Sequence, residues 1–269
     1  MYNHYMRKYL ALFKQDLYSE LEYRGIFFVL ILGDLVSLAT AVFFWFAVFR
    51  TNTTAGGYNF ETMMSYYLLV PIIGAITRSV VIVHLPKKIK DGTISTELMK
   101  PYNIAFGNLI EQTTKKISKL TMRIPIYFIA GLFFVHFLNV KLTLVSFFFA
   151  VIVSLFSYLL YFLMDLSVSY AAFWFDEVKA FGGLKSAAVL VFGGTLFPID
   201  LVPEGLRTIF NILPFRLMLY FPIKIAQGEM TGTVLFADFG QLLLWILFFY
   251  AVSQVLWKKG IKKYGAYGN

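Results

Sequence analysis

Long apolar runs alternate with short polar breaks along nearly the whole chain. The runs cover 26–49, 61–84, 120–138, 142–175, 186–198 and 235–257. About 20 apolar residues in a helix cross the hydrocarbon core of a bilayer. The pattern therefore predicts an all-α polytopic membrane protein, with six transmembrane helices in a single transmembrane domain, 1–269. Residues 1–25 follow a different pattern. Tyr9, Leu10, Phe13, Leu17 and Leu21 recur at spacings of three and four, with Arg7, Lys8 and Lys14 close by. That stripe predicts an interfacial helix lying on the cytoplasmic face.

Prolines and charges modify the individual runs. Pro71 predicts a kink in the second span, because proline removes a helix hydrogen bond. Read as one helix, 142–175 would be about 51 Å long, against a core of ~30 Å. It must tilt strongly or project into the cytosol. Residues 176–185, "DEVKAFGGLK", read as a short polar loop. The stretch 199–232 is apolar but broken by Pro203, Pro214 and Pro222, with Pro198 just before it. It predicts re-entrant extracellular half-helices, whose broken backbone must be shielded by protein or face a water-filled cavity.

Composition agrees with this class. Of 269 residues, 59% are hydrophobic and 14% charged, where soluble domains carry about 25% charged residues. There is no cysteine, which excludes disulfides and cysteine-based metal or nucleophile chemistry. The net charge of +9 comes from lysines and arginines flanking the apolar runs. Six spans put both termini on one side. That side holds four basic residues in 1–25, seven in 85–119, two in 176–185 and four in the tail, against five on the other. The positive-inside rule makes the richer side cytosolic, so the chemistry of the charge points to bilayer orientation and not to nucleic acid.

One cytosolic segment is unlike the rest. "KKIKDGTISTELMKPYNI" (87–104) is a polar island between two apolar runs. Gly92 permits a tight turn after Asp91. Thr93 or Ser95 can cap a short helix over "ISTELMK", containing Glu97, that Pro101 ends. Ile94 and Leu98 stand at i and i+4, with Met99 beside them and Tyr102 following. So short a helix is unstable alone. Its apolar residues, taken as exposed in the cytosol, suggest a protein-docking knob.

Candidate chemistry is sparse. No GxxxxGK[ST] phosphate loop occurs; the nearest cluster, "FGGLKS", lacks the Gly-Lys adjacency. His4, His84 and His136 have no metal-ligand spacing, and no Ser/His/Asp grouping or paired-carboxylate site is readable. An enzyme is disfavoured. Ionisable groups within spans are costly and usually partnered. Asp34 in span one and Arg78 in span two lie at similar depths, about 12 and 10 Å from the cytosolic end, and are expected to form an intramembrane ion pair. Asp165 and Asp238 fall at span boundaries and receive no role. An ion-coupled secondary transporter is the main alternative function; it would depend on Asp34 and Arg78.

Three stretches resemble the ABC-2-type permease subunits of ATP-binding cassette exporters, in their bacterial ABC-2-like branch. "IKDGTISTELMKP" is similar to the family's loop between spans two and three. "GGTLFPIDLVPEGLRTIFNILPF" is similar to the stretch before its last span, and "LWKKGIKKYGAYGN" to its basic ending. The resemblance spans nearly the whole chain. It implies that Asp91, Gly92, Ile94, Glu97, Leu98, Met99, Pro101 and Tyr102 belong to a coupling helix that docks on a separate ATPase subunit. It implies that Pro198, Pro203 and Pro214 shape the re-entrant helices, and that two permease chains, identical or related, assemble with two ATPases. ATP and Mg2+ would sit on the ATPase, leaving this chain without a cofactor of its own. The expected place is the bacterial cytoplasmic membrane and the expected task is export of a hydrophobic or amphipathic solute.

Overall fold

The structure, a computed structural model, describes residues 13–14, 24–51, 53–100, 102–138, 143–230 and 232–266. The interfacial helix expected over 1–25 lies almost wholly outside them. The described chain is helical, with no strand beyond one isolated bridge between Ala55 and Tyr58. Its helices are α1 (Arg24–Phe49), α2 (Phe60–Thr77), α3 (Val81–Lys90), α4 (Ile94–Leu98), α5 (Ile104–Leu138), α6 (Leu144–Tyr170), α7 (Val178–Phe192), α8 (Glu204–Ile212), α9 (Tyr220–Ala226) and α10 (Gly232–Ala266). Short 3-10 turns occupy Ala171–Phe173, Ile199–Leu201 and Pro214–Met218. Among the described residues, four stretches are long and apolar enough to cross a membrane: Ile31–Thr51, Phe60–Lys90, Leu144–Phe173 and Gly232–Tyr264. The molecule is thus a polytopic membrane protein by length and composition.

Helix α6 is the axis of the fold. It packs against α10, α9, α2 and α3, and from Ser157 to Ser167 almost every side chain is buried. A helix apolar on all sides belongs inside a bundle or a bilayer, and this one is inside the protein. By contrast α1 leaves Phe28, Leu32, Val36, Phe43 and Phe44 exposed along its length. The two ends of α6 are far apart, about 40 Å at 1.5 Å per residue. At the Leu144 end, Ser146 lies close to Gly228. At the other end Tyr170 packs on Trp257 of α10, ring centroids 5.0 Å apart, and Phe173 faces Tyr264.

Several elements differ from the pattern in the sequence. The second apolar run is two helices. Asn59 and Thr62 cap α2 reciprocally, Thr62 N–H to Asn59 Oδ1 at 2.8 Å and Asn59 N–H to Thr62 Oγ1 at 3.0 Å. Helix α2 continues through Pro71 and stops at Thr77, where Arg78 turns extended. The break is stabilised from outside: the Lys116 ammonium donates to the Ile76 and Arg78 carbonyls, the latter at 2.6 Å. The run 120–138 is the second half of α5, continuous with the polar residues before it. The loop expected at 176–185 is the first half of α7, which ends at Phe192. Its 15 residues reach only about 22 Å, so 186–198 is not a full-length span. Across 199–226 the backbone is short helical pieces. Pro198 and Pro203 stand immediately before two of them and Pro214 opens a third, positions where the missing N–H costs nothing.

Candidate functional site

The polar island 87–104 is assembled by α3, α4 and the start of α5, and its Gly92 turn meets the end of α10. Helix α3 buries Val81, Leu85 and Ile89, at i, i+4 and i+8, and turns its lysines outward. Asp91 ends it, its N–H bonded to the Lys87 carbonyl, with the side chain exposed. Gly92 then takes φ +75°, a left-handed conformation that favours glycine. The Gly92 carbonyl accepts from the Tyr264 hydroxyl at 3.0 Å and from the Ser95 hydroxyl at 2.7 Å. This ties the turn to the far C-terminal end of α10.

Helix α4 has only five residues, so its position is fixed by contacts rather than by its own hydrogen bonds. Thr93 stands at the N-cap without a side-chain cap bond; its hydroxyl donates instead to the Lys88 carbonyl. Glu97 is the hub. Its carboxylate is 3.4 Å from Lys88 Nζ and 3.1 Å from Lys100 Nζ, and accepts the Tyr102 hydroxyl at 3.0 Å. Partial burial alone would raise the Glu97 pKa. The Lys100 hydrogen bond, the Lys88 charge and the Tyr102 hydrogen bond outweigh it and hold the carboxyl below its usual range. The Tyr102 ring lies flush on Gly107, where an added Cβ would come within 2.6 Å of Cε2.

The apolar residues of this helix split. Ile94, expected to be exposed, is fully buried in the main core. Leu98 is 43% and Met99 85% exposed. The exposed apolar surface is therefore two adjacent side chains at the helix C-terminus, held in place by the Glu97 cluster. Pro101 lies outside the described residues.

The intramembrane charges pair differently from the sequence expectation. Asp34 accepts the Tyr127 hydroxyl at 2.8 Å and lies 3.5 Å from Arg123 Nη2, both on α5. Arg78 is not its ion-pair partner. Because α2 ends at Arg78, that side chain runs back along Gly74 of its own helix. Sequence distance favoured consecutive spans, whereas α5 supplies the cation.

Two pairs were not anticipated. Asp165 of α6 and Lys185 of α7 form a fully buried ion pair, with the ammonium 3.9 Å from the Tyr161 ring centroid. The sequence places Asp165 at a span boundary and Lys185 at the end of the polar loop 176–185. Arg216 forms a fork on Asp238, with bonds of 2.8 and 2.6 Å, and reaches Gln241 at 2.7 Å. It fastens the proline-broken segment to α10. The signal available for both pairs was a lone charge in each of two apolar neighbourhoods, without a means to match them.

The fold is thus that of a helical, polytopic membrane protein with a clamped polar segment at one end. The ABC-2 family transporter protein model matches residues 35–268, and the chain belongs to that family. This is a component of membrane transport and not itself a catalyst. Comparison with curated proteins and with solved structures gives no match.

Proposed function

We propose that the chain is the permease subunit of an ATP-binding cassette exporter, driven by a separate ATPase subunit that docks on α4. The observation that carries this reading is the pair Leu98 and Met99, exposed on a helix whose every other anchor is satisfied. A loop kept only for solubility has no use for an apolar tip fixed by Lys88, Glu97, Lys100, Tyr102 and Tyr264. In this reading two permease chains pair with two ATPases, and ATP and Mg2+ bind the ATPases. ATP-driven closure pushes on α4, and rigid-body movement of packed helices switches access from one side to the other. The cargo is a hydrophobic or amphipathic solute, drug-like or lipid-linked, as the apolar helices suggest. Six crossings, with the second half of α5 and a crossing that the short α7 begins and the chain after Phe192 completes joining the four long apolar stretches, put both termini in the cytosol of a bacterial membrane. The proline-broken pieces over 199–232 then dip in from outside. The alternative, ion coupling, is disfavoured because Asp34, Asp165, Asp200 and Asp238 each have a cation within ion-pair distance.

The test is co-purification of the tagged permease with its ATPase. Leu98→Asp and Met99→Asp are expected to abolish association while leaving the permease folded. An ATPase bound normally by both variants removes α4 as the docking element.

A further inference from the structure

At the end of α6 opposite the coupling segment lies an open cavity of about 310 Å3. Gly56, Gly57, Tyr58, Thr62, Asp200, Arg207, Lys224 and Glu229 line it; the last four carry the argument. Two are acidic and two basic, so the lining is neutral overall. Most of its polar capacity is already used. Asp200 accepts the Tyr58 hydroxyl at 2.6 Å and the Tyr220 hydroxyl at 2.7 Å, and lies 3.3 Å from Lys224. Lys224 also reaches the Tyr58 oxygen at 2.9 Å and pairs with Glu229.

What remains is the Arg207 cation and one net negative charge that Asp200 and Glu229 share over Lys224. Among the described residues, Arg207 has no carboxylate within ion-pair distance and its buried Nε has no hydrogen-bond partner; one of its terminal nitrogens donates to the backbone carbonyls of Asp200 and Val202, at 2.8 and 3.1 Å. Glu229 shares Lys224 with Asp200 and is the more exposed of the two carboxylates. A guanidinium matches the oxygens of a phosphate, here through the terminal nitrogen that the Asp200 and Val202 carbonyls do not engage, and a carboxylate matches an ammonium. Helix α8, which carries Arg207, also exposes Leu206, Ile209 and Ile212. A polar ligand seated at Arg207 would therefore have apolar surface beside it.

We infer that this cavity binds a zwitterionic phosphate–amine head group, the phosphate at Arg207 and the ammonium at Glu229. The rim is shaped for access. The Gly56–Gly57 turn, closed by reciprocal Ala55 and Tyr58 backbone bonds, carries no side chain into the opening. At Gly56 an added Cβ would meet Leu201 Cδ2 at 2.4 Å, so the turn must stay bare to seat against the 199–201 turn. Binding does not depend on the proposed export function; only the assignment of this face to the outer surface does.

The experiment uses the purified full-length permease in a non-ionic detergent, without ATPase. Phosphatidylethanolamine and phosphatidylglycerol are titrated and bound lipid is counted by native mass spectrometry, with glycerophosphoethanolamine as a soluble probe. The zwitterionic lipid is expected to bind about tenfold more tightly than the anionic one, a difference of ~1.4 kcal/mol. Arg207→Gln should weaken binding of both lipids, since each carries the phosphate, whereas Glu229→Gln should erase that preference. Glu229→Asp, which keeps the charge, should retain part of it, and unchanged thermal unfolding separates lost binding from lost folding. Tighter binding of the lipid than of the soluble probe identifies the bilayer as the source, and equal binding identifies a free solute. Equal affinity for the two lipids in the wild type, a preference that survives in Glu229→Gln, or unchanged binding of both lipids in Arg207→Gln overturns the assignment.

Discussion

Single side chains in this protein gain their meaning from what neutralises them. Asp165 and Lys185 are buried with no solvent to share their charge. Removing one partner of such a pair leaves an uncompensated charge and costs about 3–5 kcal/mol, whereas replacing both by apolar groups is often neutral. Lys185→Met should therefore strongly lower the unfolding midpoint in detergent, and Asp165→Leu combined with it should recover most of the loss. Equal destabilisation of the single and double variants would show that the pair has a role other than mutual neutralisation. Glu97 gives a pH-dependent case. Its pKa is depressed in the folded protein, so its contribution is fully present above the ordinary glutamate value, about 4.3. It is lost as pH falls through the lowered folded value. Hydrogen-exchange protection across 92–100, corrected for intrinsic rates, should fall through that acid range in the wild type. In Glu97→Gln it should be weak and flat.

Elements are set by close approaches that hydropathy does not register. Gly260 of α10 sits against the Phe173 ring, where an added Cβ would lie 2.2 Å from Cδ2. Gly260→Ala must move the ring or the helix, at about 1–3 kcal/mol for an overpacked contact. Phe173→Leu should relieve part of that cost, and thermal unfolding of the two single variants and the double variant reads the coupling. The apolar runs over 26–49, 142–175 and 235–257 were legible, because length and hydropathy alone define α1, α6 and α10. The split of the second run at Arg78 was not. Nothing in "AITRSVVIV" differs from a continuous helix except Arg78, and the stabilising group, Lys116, is 38 residues away. The helical start of α7 was read as a loop because Lys179 and Lys185 look solvated in sequence, although Lys185 is buried by its pairing with Asp165. The island was legible as an anchored short helix. That Ile94 faces inward was not, since Ile94 and Leu98 share a helical spacing but α4 is too short to have one uniform face.

At the scale of the whole molecule, the break at 78–80 separates two bodies of contacts. Helix α2 packs with α1, α5 and α6, while α3 packs with α6 and α7 and carries α4 at its end. Lys116 holds the α2 side of the seam. It donates to the Ile76 and Arg78 carbonyls and its ammonium stands 3.9 Å from the Tyr158 ring centroid, so α2, α5 and α6 meet at one half-buried ammonium. In the proposed reading a push on Leu98 and Met99 reaches α2 through this point and through α6, which packs on both α2 and α3. Lys116→Met removes the donor and keeps much of the apolar stem. It leaves two carbonyls at a helix end without their charged partner, a loss of about 1.5–3 kcal/mol for each such hydrogen bond. The Leu98–Met99 tip is untouched, so the ATPase should still co-purify. Hydrogen exchange at 77–82 should rise, and ATP hydrolysis by the reconstituted complex should fall by about tenfold, since each 1.4 kcal/mol of lost coupling is worth that factor. Lys116→Arg should restore part of both. A variant that exchanges and hydrolyses like the wild type would place the transmission elsewhere, with α5 moving as one body from Ile104 to Leu138 and carrying the signal past the break.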